Sequence, residues 1–191
     1  MKAMTDEQAK RLLKTLRSHK RADRDCMLVS LALNTGLRRE ELCGLNIGDL
    51  RGKEVLAVRA ETAKRCKARR VPLNKFIQSE IKTHLAWKKR EADPSDDESP
   101  FFISRNGNRM CLKAINDVAA KWSHAAALGE VFSPHCWRHT FAQQFISRAV
   151  NKASALKQLQ KILGHDSLSS TGIYLDFSED DLRESMEEIW R

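Results

Sequence analysis

Four groups in this chain have the types and spacing to act on a phosphate. Arg38 and Glu41 stand three residues apart, so one helical turn brings them onto a shared face where they can pair. Glu41 would then aim the guanidinium and take no part in chemistry. His135 and Arg138 repeat that spacing in a second segment. His165 follows Leu163-Gly164, and Tyr174 is the only tyrosine in the chain. A guanidinium fork gives two parallel hydrogen bonds to phosphate oxygens that gain charge in a transition state. A phenol has a pKa of about 10, so attack at neutral pH needs a base or a strong positive field. Two arginines and two histidines can supply that field. Together these groups suit transfer at a phosphodiester through a covalent tyrosine link, which holds the broken end for resealing.

These residues sit in three boxes: Thr35-Gly36-Leu37-Arg38-Arg39-Glu40-Glu41-Leu42, Pro134-His135-Cys136-Trp137-Arg138-His139-Thr140-Phe141, and Leu163-Gly164-His165 with Tyr174 nine positions on. In this order they resemble the tyrosine recombinase (phage integrase) family, over about Thr5 to Leu175. The resemblance implies that Arg38, Arg138 and His165 hold the scissile phosphate and that His135 accepts or relays the tyrosine proton. Tyr174 would be the nucleophile. It also implies a general-acid lysine in a β-hairpin, about eight residues before the proline of a Val-Pro pair. Lys64 has that spacing to Pro72, with Lys67 as its rival. The implied reaction is cofactor-independent strand cleavage and rejoining through a 3′-phosphotyrosine. A type IB topoisomerase-like enzyme shares this logic, and a non-catalytic DNA-binding protein could share the fold. Trp137 stands where the family more often has an aliphatic residue.

The elements that must carry these groups are legible in outline. Thr5 and Gln8 form a capping box before Leu12, Leu13 and Leu16. Met27, Leu28, Leu31 and Ala32 predict a helix from about Asp23 to Leu33, with Gly36 as a left-handed stop. A short helix over Arg38–Leu42 follows. Alternation around Val55–Ala60 and the Val71-Pro72 pair predict a β-hairpin with a basic tip over 61–69, extended by a strand near Asn46–Leu50. Ile77, Ile81 and Leu85 mark a helix that ends before the acidic loop 93–100. Phe101–Ser104 reads as a short strand with a turn at Asn106-Gly107. Further helices are expected at about 112–127, 134–149, 154–163 and 167–175, with Ser133 as N-cap and Pro134 in the first turn of the second. The expected fold class is mainly α with a small antiparallel β-sheet. Residues 1–177 would form the catalytic domain and 178–191 a C-terminal helix or tail that contacts a neighbouring protomer. By the resemblance, the helical N-terminal core-binding domain usual in the family would be absent from this chain.

Bulk properties fit that picture. The net charge of +9 favours an anionic partner, with double-stranded DNA the partner that the resemblance implies. Arg65, Lys67, Arg69, Arg105 and Arg109 are the candidate DNA backbone contacts. Cys26, Cys43, Cys66, Cys111 and Cys136 are odd in number with no Cys-x-x-Cys pair, which favours reduced, packed thiols over disulfides or structural zinc. His135 and His139 have metal-ligand spacing, but no Glu lies between them as in His-Glu-x-x-His, so no metal and no cofactor is expected. His139 is read as scaffold. No run approaches membrane-spanning length, so no membrane partner is expected and a cytoplasmic, nucleoid-associated location is. By the resemblance, the protomers would assemble as a homo-oligomer, a tetramer on paired DNA sites.

Overall fold

The computed structural model describes residues 2–59 and 68–164. Seven α-helices and one hairpin make up the described chain: α1 (Asp6–Ser18), α2 (Asp23–Thr35), α3 (Arg39–Gly44), β1 (Val55–Val58), β2 (Arg69–Pro72), α4 (Lys75–Arg90), α5 (Leu112–Ala125), α6 (Pro134–Ser147) and α7 (Lys152–Leu163). The class is the expected one, helical with a two-stranded antiparallel sheet. Among the described residues no helix is long and apolar enough to cross a membrane.

α2 is the axle. Leu28, Val29, Leu31 and Ala32 are fully buried, because α2 packs on α1, α4 and α6 at once. A helix enclosed on three sides must be apolar nearly all round. Its one buried carboxylate, Asp25, is satisfied by the Arg24 guanidinium at 2.7 Å and by Trp122 Nε1 at 2.8 Å. A second, smaller apolar cluster of Phe141, Ala142, Ile146, Ala155, Leu159 and Leu163 seats α7 on α6.

Helix ends follow local chemistry. Thr5 accepts from the Gln8 N–H, and the Gln8 side chain accepts from the Thr5 N–H, so the capping box forms. Gly36 and Gly164 close α2 and α7 in the left-handed region, at φ 62° and 64°. At Gly36 a Cβ would lie 2.4 Å from Phe141 Cδ1, so shape and dihedral both exclude a side chain. α5 and α6 end two residues earlier than their apolar patterns suggest, at Ala125 and Ser147.

Two expected strands do not form. Ile47–Asp49 is a single 3₁₀ turn, and only Asn46 bridges to Pro100. The Asp49 carboxylate accepts the Asn46 N–H at 2.8 Å, and this local side-chain-to-backbone bond competes with a ladder. The segment instead binds the acidic loop through Ile47 N–H to Ser99 O and Gly48 N–H to Asp97 O, both 2.9 Å. At Phe101–Ser104, Phe101 and Phe102 are both buried, which defeats strand alternation, and a single bridge between Ile103 and Arg109 forms, flanked by Ser104 N–H to Asn108 O and Met110 N–H to Phe102 O. The hairpin itself is in register Val55 with Pro72 through Val58 with Arg69. The helix expected at 167–175, the tail 178–191 and most of the hairpin tip lie outside the described residues.

Candidate active site

Arg38 is the N-cap residue of α3, and Glu41 is its third helical residue. Glu41 turns back: Oε2 accepts the Arg38 backbone N–H at 2.7 Å, and Oε1 accepts Arg38 Nη1 at 3.1 Å. The pair therefore forms as the spacing predicts, with Arg38 at the mouth of the helix and Glu41 buried beneath it. Burial alone would raise the Glu41 pKa. The hydrogen bonds and charge of Arg69, with the Arg38 N–H and guanidinium, outweigh burial and hold the carboxyl below its ordinary range.

Arg138 rises from α6 into the same region. It is buried, with Nη1 donating to Gly36 O at 2.5 Å and Nη2 to Leu163 O at 2.7 Å. Pro134 begins α6 and Ser133 caps it, accepting the Cys136 N–H at 3.4 Å. This start places His135 one turn ahead of Arg138. His135 is exposed, and its ring lies 4.6 Å edge-on from that of His139. Partial burial, then the charges of Arg138 and Arg38, hold the His135 imidazole below its usual pKa. His139 is held low by burial and then by His135. That direction favours the neutral imidazole, the form that accepts a proton.

Arg38, His135 and Arg138 share one open cleft of about 560 Å³. Arg39, Glu40, Ser133 and Pro134 line it with them, as do Asn116, Asp117, Ala119 and Ala120 of α5. The start of α6 adds the partial positive charge of a helix N-terminus. Such a cleft suits an anion that bears several oxygens. Among the described residues no cluster of three or more His, Cys, Asp or Glu is placed to hold a metal ion. Lys64, Arg65, Lys67, His165 and Tyr174 lie outside the described residues.

Three of the expected DNA backbone contacts have defined positions. Arg105 is exposed. Arg109 is exposed, but Nη1 donates to Cys43 O and Leu45 O, both at 2.9 Å, and Nη2 to Asn46 Oδ1 at 2.6 Å. Arg69 requires a correction. Its side chain is only 6% exposed, with Nη1 and Nη2 on the two Glu41 oxygens at 2.6 and 2.7 Å and Nε on Ile162 O at 2.6 Å. Strand parity is the cause: Arg69 lies two residues from buried Val71 and faces inward, while Arg70 faces solvent. That parity was available in the sequence as the signal for its role.

Comparison with known proteins agrees with this fold. The fold is that of the tyrosine recombinase catalytic domain. The crystal structure of XerA recombinase superposes with a TM-score of 0.77 at 26% identity, over 97% of this chain and 64% of that one. XerH site-specific recombinase bound to difH substrate, in a pre-cleavage complex, gives 0.79 at 24% identity, over 100% of this chain and 55% of that one. In sequence, tyrosine recombinase XerC of Thermodesulfovibrio yellowstonii is 34% identical over 155 residues, covering 79% of this chain and 49% of the relative. Tyrosine recombinase XerA of Pyrococcus furiosus is 32% identical over 190 residues, covering 97% and 61%. A model of the phage integrase family matches residues 2–180, and the chain belongs to that family. It spans about half to three-fifths of the length of these curated relatives.

Proposed function

We propose that this chain is the catalytic domain of a site-specific DNA recombinase. The observation that carries the reading is the convergence of Arg38, Arg138 and His135 on one cleft, with Glu41 orienting the first arginine. Two guanidinium groups, one anchored to Gly36 O and Leu163 O, suit the non-bridging oxygens of a phosphodiester. His165 follows directly on the end of α7 in sequence and is assigned the third phosphate contact.

In the proposed reaction Tyr174 Oη attacks the scissile phosphorus. His135 accepts or relays the phenolic proton. The bond to the 5′ oxygen breaks as Lys64 protonates that oxygen, leaving a 3′-phosphotyrosine link and a free 5′ hydroxyl. A 5′ hydroxyl from a partner strand then attacks the link, restores the backbone and frees the phenol. Each charge and each proton is handled by a side chain of the chain itself, so the scheme calls for no metal and no nucleotide.

Double-stranded DNA is the substrate in this reading. The net charge of +9 supports it, as do solved relatives described as bound to difH substrate or transposon DNA. A tetramer of protomers on paired sites, with residues 178–191 reaching a neighbour, is the assembly that fits strand exchange, and a cytoplasmic, nucleoid-associated location follows from the substrate. The decisive experiment incubates the protein with a nicked suicide duplex in EDTA. A denaturation-resistant protein–DNA adduct is expected, and Tyr174→Phe should lose it while keeping DNA affinity. An adduct that persists in Tyr174→Phe, or none from the parent chain, removes the assignment.

A further inference from the structure

One carboxylate serves two guanidinium groups beneath the cleft. Arg69 grips Glu41 with both Nη atoms at 2.6 and 2.7 Å, whereas Arg38 has a single, longer side-chain bond of 3.1 Å to the same carboxylate. Arg69 is nearly sealed from solvent, at 6% side-chain exposure, and Arg38 retains 20% and lines the cleft. Arg69 is further fixed by Ile162 O at 2.6 Å, and its stem crowds Gly164, where a Cβ would come within 2.9 Å of Cδ.

We propose that Arg69 is a positioning residue that occupies Glu41, so that the Arg38 guanidinium gives the carboxylate one bond, rests only distantly on Gly164 O at 3.5 Å, and keeps its remaining donors and its charge for the scissile phosphate. The reasoning is one of competing forks. An arginine and a carboxylate left alone favour a bidentate pair, in which both faces of the fork are spent and the two charges cancel. Here that bidentate place is already taken from below. The group of three carries a net charge of +1, and the exposed member is Arg38. Removing the Arg69 charge would leave Glu41 to capture Arg38, turning its donors away from the cleft.

This inference rests on the recombinase reading, and single-turnover cleavage of the suicide duplex by the full chain tests the two separately. If the parent chain forms no adduct, the recombinase reading fails. With a working parent chain, Arg69→Gln at saturating DNA should cut roughly 100- to 1000-fold more slowly, the scale of losing one charge-stabilising donor. Its DNA affinity and the salt slope of that affinity should not change, since no phosphate contact is removed.

The discriminating measurement is the double variant. Arg69→Gln with Glu41→Gln should cut faster than Arg69→Gln alone and no slower than Glu41→Gln alone, because the capturing charge is gone. A merely structural Arg69 would make the double variant the slowest of the three, and that result overturns the proposal. Lower affinity with a flatter salt slope in Arg69→Gln would also overturn it, by making Arg69 a DNA contact. If thermal melting shows Arg69→Gln unfolded, Arg69→Lys keeps the charge but loses the fork. It should then cut several-fold more slowly, and parental speed from a folded Arg69→Lys overturns the proposal.

Discussion

Arg138 holds the carbonyl of Gly36 at 2.5 Å, two residues ahead of Arg38. The second arginine of the site therefore braces the turn that presents the first. Its other arm, Nη2, holds Leu163 O at 2.7 Å, at the end of α7. One buried fork ties α2, α6 and α7 together at the floor of the cleft.

Arg138→Lys should damage both folding and chemistry. An ammonium is a point charge and cannot span the Gly36 and Leu163 carbonyls as the planar fork does. A stability loss of about 1–3 kcal/mol is expected from leaving a buried acceptor unmet. Adduct formation at saturating DNA should drop roughly 100- to 1000-fold. Urea melts and single-turnover cleavage read the two effects independently, and cleavage at the parental rate would show that the fork is dispensable.

Gly36 and Gly52 make a paired test of backbone strain against crowding. Both have positive φ, 62° and 67°, but a Cβ at Gly36 meets Phe141 and Leu163 while one at Gly52 meets nothing within 4 Å. Gly52→Ala should cost about 1–2 kcal/mol from the dihedral alone. Gly36→Ala adds overpacking and should cost roughly 2–5 kcal/mol. Equal losses in denaturant melts would refute the crowding argument.

Acid should destabilise the fold through His84. The ring is buried among Trp87, Phe101 and Phe102, and burial, followed by the charge of Lys88, pushes its pKa down to about 3. Above the unfolded value of about 6.5 both states are neutral and the contribution to stability is complete. As pH falls from there toward 3, the unfolded chain binds a proton that the folded chain refuses. Stability then declines by up to about 1.4 kcal/mol per pH unit. Melts of the parent chain and His84→Phe between pH 7.5 and 4.5 should diverge, the variant showing the shallower decline. Parallel curves would mean that His84 titrates alike in both states.

Lys64 and Lys67 separate on a substrate whose 5′-bridging oxygen is sulfur, which leaves without a proton. If Lys64 is the acid, Lys64→Ala should cut ordinary DNA poorly and the sulfur substrate well, while Lys67→Ala shows no such rescue. The opposite pattern would transfer the role to Lys67.

Most helix boundaries were readable because short polar signals mark them: Thr5 with Gln8, Ser133 with Pro134, and the glycines at 36 and 164. The pairing of Arg38 with Glu41 and the shared cleft of Arg38, His135 and Arg138 were readable because side chains at helical spacing share a face. The segment Asn46–Leu50 misled because its apolar residues suggest a strand, while Asp49 bonds the Asn46 backbone and closes a turn. Arg69 misled for a different reason. A basic hairpin suggests phosphate contact, and only its inward parity beside Val71, together with a carboxylate 28 residues earlier in the chain, reveals the opposite. The carbonyls that receive these arginines are backbone atoms, which the letters of a sequence do not distinguish.

Those acceptors lie in an unbroken row. Ile162, Leu163 and Gly164 take Arg69, Arg138 and Arg38 in turn, at 2.6, 2.7 and 3.5 Å. Because peptide groups form the row, swapping an aliphatic side chain there leaves every acceptor in place. Inserting or deleting a single residue in the last turn of α7 would instead slide all three cations onto the wrong oxygens together. The exposed letters of that turn are free to drift, but its buried Leu163, its Gly164 and its length are not.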